Sequence, residues 1–269
     1  MHITITVDCH VHTHRSACAD LVDIPDYLGR ARELGIECFA ITDHSNDIYF
    51  DGEDAQGLKW RLDPSQLYDK IRKRSGRMDD YISHVAQYRD MGVRVGIELE
   101  QMPLSGDFIF DWDLRKEFDV VIGAVHSVPS IKRGIAEDAD AAREEFLSLT
   151  LKALDQDIDI LAHPTRSLRR AGIAMPDGHY DAIIDRAVSR NILLEINSHS
   201  SDPEPGFINR CVERGARLVL CTDSHSISEF GDFSFHRKLL DRAGLRADAV
   251  KKHCFTPLKD YEREGRVTK

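Results

Sequence analysis

Seven short apolar runs in this chain each stop at a histidine, an aspartate or a glutamate. The run at 3–7 leads to Asp8, His10 and His12, that at 37–42 to Asp43 and His44, and that at 93–97 to Glu98 and Glu100. The runs at 118–125, 158–162, 192–194 and 217–222 lead to His126, to His163, to Glu195, Asn197 and His199, and to Asp223 and His225. Stretches of helical periodicity lie between them. Tyr27, Leu28, Ala31 and Leu34 repeat at helical spacing from Pro25 until Gly35. Comparable patterns predict helices over 65–91, with a break at Gly76, and over 138–154, 180–190, 207–214 and 236–243. Strand alternating with helix implies parallel strands joined by right-handed crossovers, and seven such units can close into an α/β barrel. A chain of 269 residues is an ordinary length for one barrel, and nothing in it reads as a linker, repeat or low-complexity segment, so a single domain over 1–269 is expected.

In such a barrel every strand ends at the same rim, which turns residues far apart in sequence into neighbours. Alternation of side chains puts His10 and His12 on one face, and the same rule places Asp8 beside them. Burying His10, His12, His44, Glu98, His126, His163, Asp223 and His225 together without cations would leave uncompensated polar groups. At four to six ligands per ion, some shared and some water, the set accommodates two or three divalent cations, and its imidazoles favour Zn, Fe or Mn over Mg or Ca. The segment 45–61 reads as a loop bordering the site. His84 reads as an ordinary helix-face residue, while His236 and His253 lack strand-end placement and are expected at the surface.

Composition narrows the partners. A formal net charge of −10 and 7% aromatic residues argue against a nucleic-acid surface, which needs a basic groove and stacking platforms. No apolar run approaches the roughly 20 residues of a membrane span, so no membrane partner is expected. The start lacks the charged and apolar regions of a signal peptide, and the six cysteines include no C-x-x-C pair; a reducing cytoplasm is the expected location. Sequence gives no indication of oligomeric state.

The pieces Asp8-Cys9-His10-Val11-His12-Thr13, Ile41-Thr42-Asp43-His44, Gly96-Ile97-Glu98, Gly123-Ala124-Val125-His126-Ser127, Ala162-His163-Pro164, Glu195-Ile196-Asn197 and Thr222-Asp223-Ser224-His225 span nearly the whole chain. In this order they resemble the PHP (polymerase and histidinol phosphatase) superfamily, and their spacing looks most like the stand-alone histidinol-phosphate phosphatase type. The stretch 161–166 is also similar to PHP domains attached to family X DNA polymerases. The resemblance implies a distorted (β/α)7 TIM-like barrel with a di- or trinuclear metal site. It implies His10, His12, Glu98 and Asp223 around one ion, Glu98, His126 and His163 around a second, and His44 with His225 at a third. One further ligand would come from the loop after His12; the expectation is Asp20, with Cys18 and His14 as alternatives.

The expected chemistry is hydrolysis of a small phosphomonoester by a metal-activated water. Arg15 and Arg166, each within three residues of an expected ligand, would hold the phosphate, followed by Lys132 and Arg133. The leaving-group proton would come from Asp223, His225 or His199. Asp8 and Asp43 would orient imidazoles. The alternatives are a phosphodiesterase or exonuclease acting on nucleotides or nucleic-acid ends, and a metal-binding regulatory barrel without turnover. Substrate choice would depend on the loops 45–61, 102–113, 127–137 and 200–206.

Overall fold

In a computed structural model, which describes residues 4–50, 69, 71, 73 and 76–258, the seven expected strands form one parallel sheet. They are β1 (Val7–Val11), β2 (Cys38–Ile41), β3 (Val93–Glu100), β4 (Val120–Ala124), β7 (Ile160–Leu161), β8 (Leu193–Asn197) and β9 (Leu218–Cys221), adjacent in that order. The sheet curls until β1 meets β9 through a parallel bridge between Val11 and Ser224, so the barrel is nearly closed. Two short strands, β5 (Ile131–Lys132) and β6 (Ile135–Ala136), form a separate antiparallel hairpin. The hairpin lies within the expected loop 127–137, where the positive φ of Arg133 and Gly134 turns the chain back on itself.

The main crossover helices are α1 (Ile24–Leu34), α3 (Gly76–Ala86), α4 (Ala139–Leu154), α6 (Asp177–Arg190), α7 (Pro205–Glu213) and α8 (Ser234–Arg242), followed by α9 (Ala247–His253). Helix α1 starts at a capping box in which Asp23 and Asp26 exchange bonds with each other's backbone, and it stops where Gly35 turns left-handed at φ 72°. Two short helices were not expected, α2 (Ser45–Tyr49) and α5 (Arg166–Arg170). The first replaces the start of the expected loop at 45–61, the rest of which lies outside the described residues. The same holds for most of 65–75, so the described part of that expected helix is chiefly α3 and a 3-10 turn at Arg89–Met91.

Two apolar layers pack against the sheet. Phe39, Ile41, Val95, Ile97 and Leu99 face the helices and meet Tyr27, Leu28 and Tyr81. Val7, Cys9, Cys38, Ala40, Val120, Ile122 and Ile160 belong to a smaller cluster made of strand residues and the C-terminal segment, which fills the barrel interior. Gly96 lets neighbouring strands approach: a Cβ there would sit 2.6 Å from Thr42 Cγ2, 2.8 Å from Val120 Cγ1 and 2.9 Å from the Ile41 carbonyl oxygen. Gly96→Ala is therefore expected to cost about 1–3 kcal/mol of stability by overpacking, read as a lower denaturant midpoint at unchanged slope.

One irregularity in β1 sets the direction of the first two histidines. Asp8 pairs with Phe39 and Val11 with Ile41, so three steps of β1 oppose two of β2. Phe39 and Ile41 both face the helices, hence Asp8 and Val11 do too, while His10 and His12 turn the other way. The expectation that Asp8 shares a face with His10 fails for this reason. Asp8 instead accepts the Thr222 backbone N–H at 3.1 Å and the Thr222 hydroxyl, tying β1 to β9, and burial pushes its carboxyl up to about 6 against those bonds.

His236 and His253 also depart from expectation, because both lie on inward faces of their helices and are buried. The His236 ring bridges β8 and β9, with Nε2 2.8 Å from the Ile196 carbonyl and 3.0 Å from that of Cys221; burial lowers its pKa to about 4. Among the described residues no helix is long and apolar enough to cross a membrane.

Candidate metal centre

The C-terminal rim of the barrel gathers eight of the nine expected metal ligands into one cluster. His10, His12, Glu98 and Asp223 offer ligand atoms that all lie within 4.8 Å of one another, as do His44, Glu98 and His126, and likewise His12, His44 and His225. His163 joins through Nε2, 3.2 Å from both His126 Nε2 and Glu98 Oε1. Glu98 is the hub. Its Oε2 lies 2.8 Å from His44 Nδ1, 3.4 Å from His10 Nε2 and 3.5 Å from His12 Nε2, while Oε1 faces His126 and His163.

Most of these imidazoles are held by the nitrogen that points away from the cluster. His10 Nδ1 lies 2.7 Å from Glu195 Oε1, His126 Nδ1 is bonded to Glu100, and His225 Nδ1 lies 2.8 Å from the Asp223 carbonyl oxygen. His12 Nδ1 lies 3.0 Å from Ser16 Oγ, and the Ser16 hydroxyl donates to Asp43 Oδ1 at 2.7 Å. Ser16 must therefore accept the His12 Nδ1–H. In the neutral form of each ring the proton therefore sits on Nδ1, and Nε2 keeps a lone pair directed at the cluster. His44 differs, since both of its nitrogens face the site: Nδ1 toward Glu98 and Nε2 toward Cys18 Sγ at 3.2 Å.

Charge in this dry cluster is strongly coupled. Burial alone would lower His10, but the carboxylates of Asp223, Glu195 and Glu98 pull it well above the usual imidazole range. Burial would raise Glu98, yet His44, His10 and His126 hold it well below the carboxylate range. His12 is pushed well down by burial and by its neighbours His225 and His44. Three buried atoms, His10 Nε2, His44 Nδ1 and Glu98 Oε2, converge without a hydrogen bond among them. Unsatisfied buried polar atoms are costly, and donors of this type, two imidazoles and a carboxylate, fit a divalent transition-metal ion. Backbone strain points the same way. His163 and Asp223 sit at φ 31° and 56°, a left-handed region that costs a non-glycine residue about 1–3 kcal/mol and persists where the surrounding structure over-determines it, as it often does at active sites.

The loop after His12 differs from expectation. Asp20 is exposed, and its backbone N–H donates to the His225 carbonyl at 2.8 Å. His14 is exposed as well, with Nδ1 4.0 Å from Asp23. The turn from Thr13 to Ser16 brings Cys18, not Asp20, back over the imidazoles. Burial would raise this thiol, but bonds to His225 and His44 outweigh it and bring it down to about 6.

Among the expected phosphate-binding residues, Arg166 reaches the cluster, with Nη1 3.9 Å from Asp223 Oδ2 and its side chain largely buried. Arg15 presents a buried Nε without a hydrogen bond. Lys132 and Arg133 are exposed on the β5–β6 hairpin, and no bond between them and the cluster is present among the described residues. His199 stacks on His225 with ring centroids 4.3 Å apart and places Nδ1 2.8 Å from Glu229 Oε1. Glu229 Oε2 also accepts the His225 backbone N–H at 2.7 Å. Asp43 takes up the orienting position expected of it, acting on His12 through Ser16.

Glu195, Ser16 and Glu229 carry structural weight that the sequence did not assign. Glu195 was readable as a strand-end acid two residues before Asn197, and its Oε2 accepts both the His163 backbone N–H at 2.7 Å and an Asn197 Nδ2–H at 2.9 Å. Ser16 and Glu229 sit in turns, where no periodicity marks them.

A family model described as the PHP domain matches residues 8–199. The chain is 26% identical over 229 residues to the DNA polymerase/3'-5' exonuclease PolX of Bacillus subtilis, covering 84% of this chain and 35% of that protein. It is 29% identical over 170 residues to a protein named "probable phosphatase" from Clostridium acetobutylicum, covering 60% of this chain and 64% of that one. Both matches span less than two thirds of the relative's length. Among solved structures, the histidinol phosphate phosphatase of Lactococcus lactis, complexed with zinc, L-histidinol and phosphate, superposes with a TM-score of 0.56 at 20% identity. That superposition covers 90% of this chain and 94% of the other, and it shows a shared fold.

Proposed function

This chain belongs to the PHP domain family, and from that premise we propose that it hydrolyses a small phosphomonoester at the rim cluster, with two or three divalent transition-metal ions (Zn, Fe or Mn) as cofactors. His10, His12, Glu98 and Asp223 would hold one ion and Glu98, His126 and His163 a second, with His44 and His225 available to a third. Ions bound there supply the means to lower the pKa of a water and to offset charge on the phosphate oxygens. The observation that carries this reading is the convergence of His10 Nε2, His44 Nδ1 and Glu98 Oε2 as buried atoms without hydrogen bonds, beside a guanidinium.

The chain's own residues account for the rest. Arg166 can swing from Asp223, 3.9 Å away, to grip two phosphate oxygens in parallel, a geometry a lysine cannot match. Arg15 offers a second guanidinium. His199, held at Nδ1 by Glu229, keeps Nε2 as its exchangeable proton site and sits at the exposed edge, where a leaving alkoxide would depart. Asp223 and His225 remain the other groups able to deliver that proton through solvent. Histidinol phosphate is a suitable first ester to test, since a relative in fold is complexed with histidinol and phosphate.

The test is phosphate release from a panel of small phosphomonoesters by chelator-stripped protein reloaded with Zn, Fe or Mn. Release should require metal, and Arg166→Ala should lower kcat/KM about tenfold to a hundredfold, through KM. Metal-loaded protein that releases nothing from the panel but trims a labelled oligonucleotide would overturn the proposal in favour of nucleic-acid ends.

A further inference from the structure

We propose that Cys18 supplies a sulfur ligand to a cation held by His44 and His225, so that the outer position of this centre is a thiolate–imidazole site. The inference rests on the metal-centred reading above and adds to it the identity of the missing loop ligand and the metal preference that follows.

Four observations carry it. Cys18 Sγ lies 3.2 Å from His44 Nε2 and is also bonded to the His225 side chain, whose Nδ1 faces the Asp223 carbonyl. The loop is pinned on both sides of the cysteine: Ala17 N–H donates to Asp47 Oδ2 at 2.7 Å and Asp20 N–H to the His225 carbonyl at 2.8 Å. The thiol is thereby fixed over the imidazoles. His44 also turns both of its nitrogens toward the site, Nδ1 toward Glu98 Oε2 at 2.8 Å and Nε2 toward this sulfur. Finally, Cys18 alone among the six cysteines is exposed, whereas the other five are buried. One sulfur and two imidazole nitrogens form a soft donor set that selects Zn or Co over Mn or Mg, and the thiol proton is released to solvent as the ion binds.

Cobalt(II) is the probe. Chelator-stripped protein titrated with cobalt(II) should develop a near-ultraviolet sulfur-to-cobalt charge-transfer band that saturates at one thiolate per chain. Cys18→Ser should abolish the band, and His44→Ala and His225→Ala should weaken it. Cys18→Asp should still bind an ion there but shift its preference from zinc toward manganese. As a second readout on unmodified protein, iodoacetamide should label Cys18, and zinc should slow that labelling about tenfold or more. Cobalt bound by equilibrium dialysis without a charge-transfer band, or a band that survives Cys18→Ser, overturns the proposal; Cys18 is then merely a hydrogen-bond partner of His44. Should Cys18→Ser not fold, the zinc protection of wild-type Cys18 decides alone. The two readings fail separately. A band without phosphate release from any ester sinks the phosphatase reading and leaves the sulfur ligand standing, and turnover without a band does the reverse.

Discussion

Glu98→Gln is expected to lower metal-dependent phosphate release by about a thousandfold or more, equivalent to some 4 kcal/mol of lost transition-state stabilisation. The substitution preserves volume, so the effect isolates charge and donor pattern. Glu98 Oε1 lies 3.2 Å from His163 Nε2 and 3.4 Å from His126 Nε2, while Oε2 lies 2.8 Å from His44 Nδ1 and within 3.5 Å of His10 and His12. One carboxylate thus serves both halves of the cluster. Glutamine would replace one oxygen by an NH2 group, turning a donor toward lone pairs and removing the negative charge that balances the cations. Initial rates at saturating metal, with metal content measured on the same samples, check this. Activity retained within tenfold of wild type would mean that Glu98 bridges nothing.

Asp43→Ala should produce the largest loss of stability, about 3–5 kcal/mol. The carboxylate is fully buried and accepts three bonds of 2.7 Å, from the Thr13 N–H, the Thr13 hydroxyl and the Ser16 hydroxyl. Alanine leaves all three donors dry and unpaired, and each such group costs about 1–3 kcal/mol. In a chain of this size the loss corresponds to a fall in Tm of roughly 6–20 °C. The same change frees the Ser16 hydroxyl, so His12 is no longer held in one tautomer, and metal affinity should drop about 10–100-fold. Thermal unfolding in chelator separates the two effects from each other. A variant less than 1 kcal/mol weaker than wild type would show that water replaces the carboxylate, and the network would then be peripheral.

The parts of this molecule that were readable from sequence share a cause. Strand ends are marked by where an apolar run stops, and in a parallel barrel those stops fall on one rim, so the sequence alone groups His10, His44, Glu98, His126, His163 and Asp223. What escaped depends on events that no periodicity records. The extra residue in β1 reverses the side Asp8 faces, and it follows from pairing with β2, not from the composition of β1. Cys18 comes to His44 because a tight turn at Thr13–Ser16 folds the loop back, whereas a sequence reading favoured the carboxylate two positions later. His236 carries no strand-end signal, yet it reaches two backbone carbonyls from a helix packed behind them. Lys132 and Arg133, expected after Arg15 and Arg166 to hold the phosphate, are exposed on the β5–β6 hairpin.

The floor of the barrel has a bearing on the order in which the protein can mature. The segment after α9 lies against the strand starts: the Phe255 N–H donates to the Leu218 carbonyl at 2.7 Å, Thr256 Oγ1 lies 3.5 Å from Cys9 Sγ, and Leu258 belongs to the interior cluster. At the opposite rim, His12 donates its backbone N–H to the Ser224 carbonyl at 2.9 Å. The first strand of the barrel is thus completed at both ends by segments that come after β9 in the chain. A nascent chain that stops short of β9 carries its His10–His12 pair beside an open seam, with Asp223 and His225 still to be synthesised. Metal capture by the whole centre therefore waits until β9 and the turn after it have been made, and until then the seam leaves an unpaired strand edge open to mispairing.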